Sequence, residues 1–147
     1  MAQSFLSGGG MLSAISIIVA GTQSQSTSSL YELSIFSGTP SPTCGYSVAT
    51  TATCAFSDFG DPLATALDSI KNAGVNKLFF HKPVYLTAGQ IYTFSITPTT
   101  NNQNFDWRIT TSSYGSGNSF GINGNISVVD DDCIFQTHYL PPGWRAL

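Results

Sequence analysis

Asp106, Trp107 and Arg108 follow the Asn/Gln-rich stretch Asn101 to Asn104, and Tyr114 opens a Gly/Ser/Asn-rich loop that includes Asn118. A further tyrosine, Tyr46, stands in the Gly/Ser/Thr-rich stretch Thr39 to Phe59. Binding a sugar in water needs flat apolar faces for the rings and planar polar groups for the hydroxyls, and these residues supply both. Alternation along the strand groups Trp107 with Phe105 and Ile109, which reads as a core face, and turns Asp106 and Arg108 to the opposite, open one. The competing reading makes Trp107 itself a ligand contact. Loops tolerate exposed rings for function, so Tyr46 and Tyr114 are better stacking platforms than Phe36, Phe80, Tyr92 and Phe94, which read as core. The candidate ligand-binding set is therefore Tyr46, Asp106, Trp107, Arg108, Tyr114 and Asn118.

The acidic run Asp130, Asp131 and Asp132, beside Asn123 and Asn125, offers the oxygen ligands that calcium prefers. Its spacing matches no known calcium loop, which favours a solvated turn between two strands over a metal site. Asp58 and Asp61 form a second oxygen-rich pair. A structural Ca²⁺ is the one cofactor these residues admit. Catalytic groups are sparse: Glu32 is the single glutamate, and His81 and His138 fall on separate strand-like runs. Neither a Gly-x-Ser-x-Gly elbow nor a phosphate-cradling glycine loop is present, so the expectation is a protein that is not an enzyme.

Three cysteines allow at most one internal disulfide. Cys44 and Cys54 share one flexible stretch, and a bridge between them would stabilise by about 2 to 3 kcal/mol in the loop-entropy picture. Cys133 sits in an apolar run and reads as a small buried hydrophobe. No Cys/His spacing suggests zinc.

The elements that must position these groups are strands. In 147 residues, 41% are hydrophobic and 10 Phe, 6 Tyr and 2 Trp are present, enough for one well-filled core and a single domain, 1–147, with 140–147 as a terminal extension. Only 9% are charged, against roughly 25% in ordinary soluble proteins, leaving a polar surface with little charge. A net charge of -3 and scattered Lys71, Lys77, Lys82, Arg108 and Arg145 exclude a phosphate-binding stripe, hence nucleic acid. Met11 to Ala20 has the length of a signal-peptide core but lacks the preceding basic residues. The alternative is a buried strand with Ile15, Ile17 and Val19 on one face. Met1 would then be an added start to a mature domain whose export signal has been removed. No apolar run is long enough to cross a bilayer.

Strand-like runs recur at Gln3 to Ser7, Met11 to Ala20, Leu30 to Ser37, Asn76 to His81, Ile91 to Thr97, Phe105 to Thr111, Asn125 to Val129 and Cys133 to Tyr139. Turn-forming residues separate them, the last turn covering Gly115 to Gly124. This rhythm predicts an all-β, antiparallel β-sandwich of jelly-roll type with at most one short helix. Leu63, Ala66, Leu67 and Ile70 are spaced for that helix over Leu63 to Ala73; a strand over Leu63 to Ala66 is the alternative. Leu78 to Ile96 reads as two strands joined by the tight connection Thr87 to Gln90.

Gln3-Ser4-Phe5, Leu12 to Ile15, Tyr31 to Gly38, Leu63 to Thr65, Phe79 to Phe94, Trp107, Tyr114-Gly115 and Ile134 to Tyr139 together resemble jelly-roll modules of secreted bacterial multidomain proteins. The likeness runs from about Gln3 to Tyr139. The stretch Thr39 to Phe59 is longer than the usual connection in such modules. The resemblance implies an extracellular module of the kind attached to adhesins and polysaccharide-degrading enzymes. The functional expectation is a secreted or cell-surface module that binds a neutral polysaccharide or glycan through loop aromatics. The alternative is a self-assembling subunit of a filament or surface layer, joined by sheet edges or an exchanged strand.

Overall fold

The computed structural model describes residues 2–23, 30–38, 54–55, 61–70, 73–99, 104–110, 119–122, 125–129 and 132–143. Their strands are β1 (Ala2–Leu6), β2 (Gly10–Gln23), β3 (Leu30–Ser37), β4 (Cys54–Ala55), β5 (Ala64–Ser69), β6 (Gly74–Leu86), β7 (Ile91–Pro98), β8 (Asn104–Trp107), β9 (Ile109–Thr110), β10 (Ser119–Ile122), β11 (Asn125–Val129), β12 (Asp132–Cys133) and β13 (Phe135–Tyr139). No helix occurs among the described residues. A seven-stranded sheet has the order β4-β11-β10-β1-β7-β3-β5. A smaller sheet has the order β13-β2-β6, with β8 also paired to β2, and β9 pairs with β12. All pairings are antiparallel. The protein is an antiparallel β-sandwich.

Alternation builds the core. Phe5 on β1 stands opposite Tyr92 on β7, and Ile35 on β3 opposite Phe94; all four are buried. From the smaller sheet, Ile15 and Ile17 on β2, Leu78 and Phe80 on β6 and Trp107 on β8 meet them, with Phe135 packed against the cluster. The segment Met11 to Ala20 lies within β2, and Ile15, Ile17 and Val19 share the buried face that the strand reading assigns them. One buried amide is fully engaged. Gln3 Oε1 accepts the Cys133 N–H at 2.9 Å, and its Nε2 donates to the Ser4 carbonyl at 3.0 Å, which ties β1 to β12.

Two connections cross from sheet to sheet side by side. The Thr87 to Gln90 turn joins strands as expected, but β6 pairs with β2 while β7 pairs with β1 and β3, so it links the two layers rather than closing a ladder between its own strands. The reason lies in its partners. Ser7, just after β1, donates its N–H to the Gln90 carbonyl and accepts the Gly89 N–H, each at 2.9 Å, and Tyr92 Oη accepts the Thr87 N–H at 3.0 Å. Gly9, in the neighbouring β1 to β2 connection, has φ +87°, and a Cβ built there would lie 2.9 Å from Ala88 Cβ.

Where a short helix was the expectation, residues 64–69 form strand β5, registered on β3 from Leu30 opposite Ser69 to Ile35 opposite Ala64. The helical spacing is a weak local preference. A ladder that takes up the peptide groups along β3 outweighs it. Likewise, β10 forms inside the expected turn Gly115 to Gly124 because β1 and β11 supply its partners, with Ser119 opposite Gln3 and Val129.

Replacing Gly9 by Ala must strain a left-handed backbone and push against Ala88. Gly9→Ala should lower the unfolding free energy by about 1 to 3 kcal/mol. Gly8→Ala, with nothing within 4 Å of its added Cβ, should lower it much less. Urea unfolding of both variants at unchanged m-value checks the pair.

Candidate functional site

The outward face of the smaller sheet is built in registered rows, because residues opposite each other in antiparallel strands point the same way. Lys77 on β6 stands opposite Ser16 on β2, which stands opposite Gln136 on β13. In the next row Phe79 stands opposite Ala14, and Ala14 opposite His138. Ser16 and Ala14 are small and buried, so the central strand forms a low floor between taller flanks. Phe79 is 53% exposed although its neighbours Leu78 and Phe80 are in the core. Water thus reaches an aromatic ring held on a rigid strand.

Two irregularities shape this face. At Ser13 the β2 ladder slips against β6, so that Leu12 pairs with Val84 but Ala14 with Phe79. Phe80 to Pro83 then stand against a single residue, and Pro83 has no N–H to lend to a ladder. The slip keeps Leu12 and Ile15 inward while Ala14 turns out; Ser13 Oγ fixes it by donating to the His138 carbonyl at 3.1 Å. His81 and Lys82 are exposed in the slipped segment, and Tyr85 beyond it is 68% exposed.

The polar groups have defined partners. His138 Nε2 and Ser16 Oγ share a hydrogen bond of 2.7 Å, which lays the imidazole against the floor. Burial, and then the charge of Lys77, holds the His138 pKa below its ordinary value of 6.5. Lys77 Nζ lies 5.4 Å from the centroid of the Phe79 ring. Beside this row a cleft of about 470 Å³ opens between the end of β5, at Asp68 and Ser69, and the β6 segment Val75 to Phe79. Asp68 is anchored there by the backbone. Its Oδ1 accepts the Ser69 N–H at 2.8 Å and its Oδ2 the Phe79 N–H at 3.0 Å, capping the β6 edge.

Of the residues singled out from sequence as ligand contacts, Trp107 and Arg108 are described with their side chains. Trp107 is 5% exposed; its Nε1–H donates to the Ile134 carbonyl at 3.0 Å and its ring packs 5.4 Å from Phe94, which leaves no open face for a sugar. It occupies the core position that alternation with Phe105 and Ile109 assigns it. Arg108 is exposed, and its backbone marks the changeover between strands: its N–H donates to the Ile18 carbonyl and its carbonyl accepts the Ile134 N–H. The backbones of Asp106, Asp132 and Cys54 lie in β8, β12 and β4, and their side chains lie outside the described residues. So do Tyr46, Tyr114, Asn118, Asp130, Asp131 and Cys44 entirely. Cys133 is a buried residue of the core, as its apolar setting suggests. Among the described residues no three His, Cys, Asp or Glu side chains gather as metal ligands.

Lys77, Phe79, Ser16, Gln136 and His138 were not singled out as a site from sequence. A signal existed: in Asn76 to His81 both alternating phases carry large side chains, Leu78 and Phe80 on one, Lys77 and Phe79 on the other. An aromatic in the phase that also carries a lysine marks an exposed ring. Compared with models of known families, with curated proteins and with solved structures, the chain matches none.

Because His138 resists protonation in the fold and takes a proton near 6.5 once unfolded, the stability that its neutral form contributes should be complete above that pH. It should decline as the pH falls from 6.5 to the folded-state pKa and then level off. Imidazole proton shifts in an NMR titration should give a His138 pKa below 6.5, moved upward in Lys77→Met. His138→Gln should flatten the acid-side slope of stability.

Proposed function

We propose that this chain is a noncatalytic, extracellular recognition module that binds a polysaccharide or glycan on the outer face of its smaller sheet. The observation that carries the reading is Phe79, an exposed aromatic ring beside a floor of Ala14 and Ser16, with the hydrogen-bonding side chains of Gln136 and His138 across it. A pyranose ring stacks on such a face while amide, hydroxyl and imidazole groups take its hydroxyls. The low charge of the chain and its resemblance to secreted jelly-roll modules support the same reading. This reading puts the binding surface on a sheet face; Tyr46 and Tyr114 lie outside the described residues. Support for a noncatalytic role comes from the sparse acid–base inventory: the lone glutamate, Glu32, sits on β3 and accepts a hydrogen bond from Ser34 Oγ at 3.3 Å.

Self-assembly through sheet edges is the second reading, favoured by exposed Leu63 and Leu67 beside and on β5, which ends the seven-stranded sheet. Against it, the Asp68 carboxylate occupies an edge N–H that a β6 ladder would need. Sedimentation velocity over a wide concentration range separates the two, a persistent monomer speaking against assembly.

A glycan array followed by calorimetry tests the main reading. Binding should be found, and Phe79→Ala should weaken it about tenfold to a hundredfold, the value of one buried aromatic face. The midpoint of thermal unfolding should stay near that of the parent, because the ring is exposed in the free protein.

A further inference from the structure

We infer that the saccharide taken by this face is acidic, carrying carboxylate or sulfate groups along its length; the inference rests on the glycan reading and deepens it. The basis is a segregation of charge. The whole chain has a net charge of -3, yet β2, β6 and β13, the strands of this face, contain no Asp or Glu; the acids of the adjoining strands are Asp106 on β8 and Asp68 on β5. Their titratable cations and potential cations are Lys77, His81, Lys82 and His138.

Lys77 and Lys82 are exposed and make no ion pair among the described residues. Asp68, which lines the same cleft as Lys77, directs its two carboxylate oxygens to the Ser69 and Phe79 N–H groups, which partly offset its charge. The cations interleave with open rings: Lys77 precedes Phe79, and Lys82 precedes Tyr85 along the same strand. A polymer that alternates flat rings with anionic substituents fits that order. Its rings stack on Phe79 and Tyr85, and its charges meet Lys77 and Lys82.

A single-stranded nucleic acid also alternates rings and charges. Two lysines on a net-negative chain supply little phosphate-driven affinity, and the exposed Gln136 amide across the floor matches the hydroxyls of a sugar ring, so the saccharide is the favoured occupant.

The test is calorimetry on the full chain with four probes: hexagalacturonate, its fully methyl-esterified form, a heparin-derived hexasaccharide and a single-stranded thymidine oligonucleotide. Hexagalacturonate or the heparin fragment should bind at least about tenfold tighter than the uncharged ester, with the advantage shrinking as salt is raised. The two acidic probes separate carboxylate from sulfate. Lys77→Met and Lys82→Met should each weaken the acidic probe about threefold to tenfold more than they weaken the ester, with near-parental melting confirming the fold. Equal binding of the ester and the acid would overturn the inference while sparing the glycan reading. Oligonucleotide binding as tight as that of the acidic saccharides would overturn it as well. If Phe79→Ala abolishes binding of a neutral glycan while both acidic probes stay inert, the inference falls alone; if no saccharide binds, both fall.

Discussion

The two layers of the fold are joined by a cluster of aromatic contacts. Phe5 and Phe94 from the large sheet meet Phe135 from the small one at centroid distances of 6.0 and 5.3 Å, and Trp107 closes on Phe94 at 5.4 Å. Tilted pairs of this kind add about 0.5 to 1.5 kcal/mol each beyond the area they bury. Because these rings come from β1, β7, β8 and β13, the cluster holds together strands far apart in the chain. It also fixes phase. Once Phe94 points inward, Thr93 and Ser95 must point outward, and once Phe135 and Ile17 face the core, Ser16, Gln136 and Lys77 must take the outer face of the small sheet.

The two outer faces then diverge. On the large sheet, Ser4, Ser34, Thr93, Ser95 and Phe36 are all buried although they point away from the aromatic core. On the small sheet the corresponding positions include open Phe79, Lys77 and Val75. A sandwich with one closed and one open flank has a direction, and the open flank is where a ligand can lie on rigid strands. The slip at Ser13 and the segment Phe80 to Pro83 add exposed His81 and Lys82 to that flank without disturbing Leu12, Ile15 or Leu78 beneath it.

The architecture was legible because period-two alternation is strong in Tyr31 to Phe36 and Tyr92 to Ile96, where one face is fully buried. It failed where partners rather than patterns decide. Ala64 to Ser69 carries helical spacing yet becomes strand because β3 needs an edge partner, and Ser119 to Ile122 has almost no pattern of its own. The tight turn at Thr87 to Gln90 was readable, but its role as a crossing between layers was not: sheet membership depends on contacts with Ser7 that no local signal reports. The site was the least legible part. A Trp between charged residues draws the eye, yet Trp107 serves the core. Phe79 instead looks like one more core residue until its neighbours Leu78 and Phe80 are seen to fill that space.

The central claim is that recognition happens on the β13-β2-β6 face. Backbone amide and side-chain NMR shifts recorded while hexagalacturonate is added test it residue by residue. The account predicts that the largest changes fall on Ser16, Lys77, Phe79, Gln136 and His138, with the large-sheet residues Ser34 and Thr93 unmoved. Changes concentrated at Tyr46 and Tyr114, with Phe79 silent, would contradict it.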